Sequence, residues 1–79
     1  MTRMEHLNKR VGMEVAQRLG RSSLTASDLA AEIGMSEAVL MRRLTAATPF
    51  SVYELLKVAE VLGCDMADLV PAELIRQSA

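Results

Sequence analysis

The fold is decided by residues 25–44, TASDLAAEIGMSEAVLMRRL. Apolar residues recur there at helical spacing, but the phase of the repeat breaks at Gly34. The two apolar stripes are Leu29, Ala30 and Ile33, followed by Val39, Leu40 and Leu44. Thr25 and Asp28 are spaced as a capping box before the first stripe, and Ser36 can cap the second. The stretch therefore predicts two short helices joined by a tight turn.

Two helices joined in this way have the arrangement of a helix-turn-helix, so we predict that residues 25–45 read DNA. On the second helix, spacing alone places five residues on the face opposite the apolar stripe. These residues are Glu37, Ala38, Met41, Arg42 and Thr45. The rest of the chain should hold that face in position.

A first amphipathic helix is predicted over residues 4–19, where five apolar residues share one stripe. They are Met4, Leu7, Val11, Val15 and Leu19. Gly12 inside this helix costs about 1 kcal/mol relative to alanine, so it either allows close helix contact or marks fraying of the first turns. Gly20 is well placed to be the C-cap residue.

Two further helices are predicted after a loop at residues 45–49. Ser51 and Glu54 make a capping box, and Phe50 and Leu55 are spaced as a hydrophobic staple. The helix over residues 52–62 is apolar on so wide a face that it is central to the domain or covered by a partner as well. A fifth helix begins near Asp65, and Pro71 either interrupts it or begins a last short turn. The prediction is an all-α domain of five helices, with no strand pattern.

Length and composition set further bounds. The 79 residues make one small domain, and with one Phe, one Tyr and no Trp its core must consist of Leu, Val, Met and Ala. One cysteine allows no internal disulfide and fits a reducing cytoplasm. One Cys and one His cannot make a structural zinc site, so we expect no metal and no cofactor. The N-terminus does not read as a signal peptide, and no apolar run approaches membrane-spanning length.

Charge is distributed unevenly along the chain. The net charge is −1, which alone argues against a nucleic-acid partner. Residues 1–45 nevertheless hold seven basic against five acidic residues, whereas residues 46–79 hold two against five. A DNA-binding module needs one basic face and not a basic total, so the asymmetry permits DNA binding. Ordinary surface charge is the alternative explanation.

The pattern resembles the Cro/repressor-type (XRE-like) helix-turn-helix family over roughly residues 7 to 70. The landmarks are Leu29-Ala30, Gly34-Met35-Ser36, Leu62-Gly63 and Asp65. The resemblance implies a lambda-repressor-like fold in which the second helix of the motif lies in the major groove. Arg43 departs from the family, which usually has an apolar or small residue there. Glu37 and Met41 stand where relatives often carry amides or basic residues.

Base reading is carried over from the family to the five exposed positions of the second motif helix. Arg42 could donate two hydrogen bonds to a guanine, or else contact a phosphate or solvent. Glu37 could accept from a cytosine, or simply favour the helix dipole as a first-turn acid. Ala38 and Met41 could touch a thymine methyl group.

Phosphates should be held at the N-termini of the second and fourth helices. The hydroxyl of Thr45 is also a candidate donor to a phosphate. The other candidate phosphate contacts are Arg21, Ser27, Arg43, Thr48 and Ser51. Ser51 could instead serve only as a cap, and Arg21 could be a simple surface residue. Such contacts fix the register of the protein on DNA without reading its sequence.

The resulting hypothesis is a small sequence-specific transcriptional regulator of prokaryotic or phage type, similar to a Cro protein. Its partners would be double-stranded DNA and, as a possibility, a second copy with half-sites about 34 Å apart. The candidate dimer residues, which could equally close the core, are Met66, Leu69, Val70, Leu74 and Ile75. The alternative is an antitoxin-like or polymerase-binding interaction module. No titratable cluster suggests an enzyme with a small-molecule substrate.

Overall fold

The computed structural model describes residues 2–72, and within that part of the chain the fold is built from helices. The helices are α1 (Arg3–Arg21), α2 (Ala26–Ile33), α3 (Glu37–Leu44), α4 (Val52–Leu62) and α5 (Met66–Leu69). No strand occurs among the described residues. The predicted all-α class and order of helices are therefore confirmed.

The predicted helix starts are formed by short polar side chains. The Thr25 hydroxyl accepts from the Asp28 amide at 3.1 Å, and the Asp28 carboxylate accepts from the Thr25 amide at 3.0 Å. Ser36 accepts from the Val39 amide at 3.2 Å. Gly34 ends α2 in the left-handed conformation, with φ 77°, where glycine pays no Cβ penalty. The turn between α2 and α3 thus follows from local chemistry.

The end of α1 differs from the prediction. The helix continues through Gly20 to Arg21, and Ser22 is its C-cap residue. The Ser22 hydroxyl donates to the Leu19 carbonyl at 2.7 Å and accepts from the Leu24 amide at 3.1 Å. Because this serine satisfies the last turn, the chain leaves the helix without a left-handed glycine.

All five helices contribute side chains to the core; α3 packs against α1 and α2, and α4 packs against α2 and α5. Its fully buried side chains are Leu7, Leu29, Leu40, Leu69, Val15 and Val58. Phe50 packs against this core and Leu55 is buried within it, which agrees with the staple spacing. α1 packs against α3, α4 and α5, so it connects the helix-turn-helix with the last two helices.

The candidate dimer residues of α5 pack against the protein's own core. Leu69 is 1% exposed and Val70 is 8% exposed, and Met66 packs partly buried against the same core. These side chains close the protein's own core, which was the alternative interpretation. The other two dimer candidates, Leu74 and Ile75, lie outside the described residues.

α4 presents apolar residues on two sides. Leu55, Val58 and Ala59 are buried in the core. A neighbouring face carries what we call the α4 apolar surface, which consists of Val52 (67% exposed), Tyr53 (67%) and Leu56 (52%). Residues three and four apart on a helix are neighbours, so these three side chains form one patch.

Candidate nucleic-acid interface

The surface of α3 opposite the core contains all five predicted base-reading residues. Each of them is exposed, namely Glu37, Ala38, Met41, Arg42 and Thr45. Leu40 is fully buried beneath them, while Val39 and Leu44 are partly buried. The helix is therefore anchored by one face and offers the other to solvent.

Thr45 differs from the other four because its hydroxyl is already engaged. It is the C-cap residue of α3, and its hydroxyl donates to the Met41 carbonyl at 3.0 Å. Its remaining lone pairs can still accept a hydrogen bond, but a donor role toward DNA would require this internal bond to break.

The hydroxyl candidates for phosphate contact lie at or near two helix starts. Ser27 is exposed in the first turn of α2, and Ser51 is the exposed N-cap of α4. Thr48 is exposed in the loop before α4. Amides in the first turn of a helix lack intrahelical partners, so both starts favour anions.

Arg21 is exposed at the last position of α1. It borders a shallow surface depression together with Arg18, Ser22 and Leu62. Leu62 is the last residue of α4, so Arg21 lies at the opposite end of α4 from Ser51. The two phosphate candidates therefore belong to separate parts of the surface.

Arg43 is bound inside the protein through its guanidinium group. Its Nε donates to Glu54 Oε1 at 3.1 Å and its Nη2 donates to Glu54 Oε2 at 3.3 Å. Its Nη1 donates to the Thr48 hydroxyl at 2.7 Å. The side chains of Arg43 and Glu54 are only 22% and 20% exposed. This two-pronged pair joins α3 to the start of α4.

Glu54 has a second role in the same network. Its Oε1 accepts from the Ser51 amide at 2.8 Å, and its own amide donates to the Ser51 hydroxyl at 3.1 Å. The hydrogen bond from Arg43 lowers the pKa of the Glu54 carboxyl, with the bonds to Ser51 acting in the same direction against partial burial. Glu54 is therefore an ionised carboxylate at neutral pH.

Sequence reasoning did not find the pairing of Arg43 with Glu54. The capping box of Glu54 was visible because its partners are three residues apart. Arg43 lies eleven residues before Glu54 and on a different helix. The one available signal was an arginine at a position where the resembled family usually has a small or apolar residue.

Other chemistry within residues 2–72 gives no competing site. No group of three or more His, Cys, Asp and Glu side chains in that range is placed to hold a metal ion. Burial raises the pKa of the Cys64 thiol, so it remains protonated at neutral pH. None of the described helices combines the length and apolar character that crossing a membrane requires.

A short helix capped at a glycine turn, followed by a second helix with an exposed polar face, defines the helix-turn-helix class of DNA-binding domains. The family model for the Cro/C1-type HTH DNA-binding domain matches residues 14–73. The chain belongs to this family, as the resemblance predicted. No curated protein and no solved structure matches the chain. Domains of this family are typically not enzymes.

Proposed function

We propose that this protein is a sequence-specific transcriptional regulator of prokaryotic or phage type that binds operator DNA through the major groove. The observation that carries the proposal is the exposed face of α3, where five residues lie above a fully buried Leu40. Membership of the Cro/C1-type family supplies the DNA-binding class. The proposal adds to this class the recognition of a specific operator and a cytoplasmic location.

Arg42 is the residue on which base recognition chiefly depends in this proposal. It is the exposed cation of the α3 face, and a bidentate contact from arginine to guanine contributes roughly 1–3 kcal/mol of discrimination. Ala38 and Met41 supply apolar contacts to thymine methyl groups. Glu37 accepts from a cytosine amine or favours the positive end of the α3 dipole. Thr45 contributes through its free lone pairs.

Affinity is proposed to come mainly from phosphate contacts on either side of α3. Ser27 and Arg21 serve the backbone near α2, while Thr48 and Ser51 serve it near α4. These groups hold the register without reading sequence. Arg43 contributes to phosphate binding less directly than these residues, because its guanidinium group already binds Glu54.

The test is an electrophoretic mobility shift with a duplex selected by this protein from random sequence, and with a scrambled duplex. Wild type should shift the selected duplex preferentially. Arg42→Ala should lose about tenfold or more in affinity for the selected duplex and less for the scrambled one. Absence of any shift at low salt, where phosphate contacts are strongest, would end the proposal.

A homodimer remains part of the proposal, and because Leu69 and Val70 are buried in the core, a surface other than theirs is proposed for it. The surface proposed for contact between two copies is the α4 apolar surface, which adjoins the proposed phosphate contact at Ser51. The proposal includes no cofactor, no metal and no small-molecule substrate.

A second candidate function is a protein-interaction module, either antitoxin-like or polymerase-binding. The observation that favours it is the same α4 apolar surface, since a lone soluble domain seldom leaves three large apolar neighbours in solvent. The two candidates separate in one comparison. A DNA-binding regulator loses binding to a single half-site with Arg42→Ala and keeps it with Leu56→Gln. An interaction module that does not read DNA keeps its protein partner with Arg42→Ala and loses it with Leu56→Gln.

A further inference from the structure

The start of α4 holds a negative charge where the proposed function requires a phosphate to approach. Glu54 is ionised and closes the capping box with Ser51, one of the proposed phosphate contacts. A carboxylate beside a DNA phosphate is repulsive, and the repulsion grows where the groups are partly removed from water. A capping box built with glutamate is therefore a disadvantage for DNA binding at this position.

Arg43 removes that disadvantage in the free protein. Two of its nitrogens face the two oxygens of Glu54 at 3.1 and 3.3 Å, which is the fork geometry of a strong arginine–carboxylate pair. A third nitrogen binds the Thr48 hydroxyl at 2.7 Å, so the guanidinium plane is fixed from both sides. The pair is partly buried, and its net charge is zero.

We propose that Arg43 is a positioning residue for DNA binding that acts through Glu54 and Thr48, and not a direct phosphate ligand. It neutralises the capping carboxylate of α4 and fixes the Thr48 hydroxyl beside the start of that helix. The inference rests on the proposed function. It revises the sequence-based expectation that Arg43 binds phosphate itself.

The experiment measures duplex affinity against salt concentration for wild type, Arg43→Met, Glu54→Gln and the double variant. Methionine keeps the length of the arginine stem, and glutamine retains the capping box while removing the charge. A mixed-sequence duplex serves as the probe, because phosphate contacts do not depend on base sequence. Circular dichroism at the assay temperature confirms that each variant is folded.

The expected result is that Arg43→Met alone weakens binding by about tenfold and lowers the slope of log affinity against log salt by about one. The double variant should return to the wild-type slope, since a neutral pair has been replaced by another neutral pair. Its affinity should recover only in part, because the hydrogen bond that holds the Thr48 hydroxyl is lost. If Arg43 instead bound a phosphate directly, the double variant would keep a salt slope about 0.9 below that of wild type. That outcome overturns the inference, and so does an unchanged slope in all variants.

The matched control is the ion pair between Arg18 and Glu14 on α1, in which Arg18 Nε lies 3.3 Å from Glu14 Oε1. Arg18 also approaches Asp68 of α5, with its Nη2 4.0 Å from Asp68 Oδ1. Arg18→Met should leave the salt slope near the wild-type value. An equal fall in slope would show a general effect of net charge and would overturn the inference. If wild type itself fails to bind any duplex, the proposed function fails first.

Discussion

Gly12 of α1 lies directly against the backbone of Leu44, the last residue of α3. A Cβ atom at position 12 would lie 3.1 Å from the Leu44 carbonyl carbon and 3.2 Å from the Arg43 oxygen, and it would meet the Leu44 oxygen even more closely. These are backbone atoms, so they cannot rotate away as a side-chain tip can. Of the two explanations that the sequence allowed for Gly12, close helix contact is confirmed.

Gly12→Ala should therefore destabilise the protein although alanine is the better helix former. The added methyl group gains about 1 kcal/mol in helix propensity, but it forces α1 and α3 apart, and overpacking of this kind costs about 1–3 kcal/mol. We expect a net loss of up to about 2 kcal/mol in the free energy of unfolding, measured by urea denaturation. Because the displaced element is α3, DNA affinity should fall as well.

Gly20→Ala is the matched control within the same helix. A Cβ atom at position 20 meets nothing within 4 Å, and Gly20 lies inside α1. This substitution should raise the free energy of unfolding by up to about 1 kcal/mol. Two glycine-to-alanine changes in one helix thus have opposite expected signs. Equal effects at the two positions would contradict the assigned role of Gly12.

The loop between α3 and α4 contains a strained alanine. Ala46 has φ 63°, and it is the one residue other than glycine with a positive φ among the described residues 2–72. The left-handed conformation costs an L-residue roughly 1–2 kcal/mol. Ala46→Gly should remove this cost, leaving a net gain of about 0.5–1 kcal/mol after the greater freedom of the unfolded glycine chain.

Differential scanning calorimetry checks the Ala46 prediction through the melting temperature. The neighbouring Ala47 is exposed and has no positive φ, so Ala47→Gly should lower stability by roughly 0.5 kcal/mol. A loss at both positions would show that Ala46 is not strained. A gain at Ala46 alone would also show that the loop geometry is intrinsic to the free protein.

The helices could be predicted from the sequence because their signals are local. The two predicted capping boxes use residues three apart, and Gly34 marks the turn without knowledge of the remaining chain. The end of α1 was misplaced because two local signals compete there. Gly20 fits a C-cap, but the hydroxyl of Ser22 satisfies the same turn two residues later.

Long-range packing explains the predictions that could not be made. An amphipathic stripe shows that Leu69 and Val70 face apolar surroundings, but it cannot tell whether these belong to the same chain or to a second copy. The exposed face of α3 was predictable because Leu40 fixes its rotation. The pairing of Arg43 with Glu54 depends on how α3 and α4 meet, which no periodicity records.

The ion pair of Arg43 and Glu54 predicts a specific dependence of stability on pH. The pKa of Glu54 is lowered from its ordinary value of 4.5, first by the hydrogen bond from Arg43. A depressed carboxyl pKa means that its stabilisation is fully present above about pH 4.5 and is lost as pH falls through the lower, folded-state pKa. The stability difference between wild type and Glu54→Gln should therefore shrink as the solution is acidified below pH 4.5.

Urea denaturation at a series of pH values measures this difference, with Arg43→Met as the reference background. Without Arg43 the largest cause of the lowered pKa is absent, so Glu54→Gln should then show a weaker pH dependence. Asp28 also has a lowered pKa, caused first by the hydrogen bond from the Thr25 backbone. That contribution is common to all four proteins and cancels. The same pH dependence in both backgrounds would contradict the role of Arg43.

The α4 apolar surface predicts an effect on association that is separate from folding and from base reading. Leu56 is 52% exposed within this surface, and the Lys57 Nζ lies over the Tyr53 ring, 4.7 Å from its centroid. Leu56→Gln should leave the free energy of unfolding within about 0.5 kcal/mol of wild type, because this is a surface substitution. It should reduce cooperative binding to a duplex with two half-sites and leave binding to one half-site unchanged.

Met13→Gln, at another exposed apolar residue, is the control and should retain cooperativity. Cooperative binding by Leu56→Gln equal to that of wild type would exclude this surface from contact between two copies.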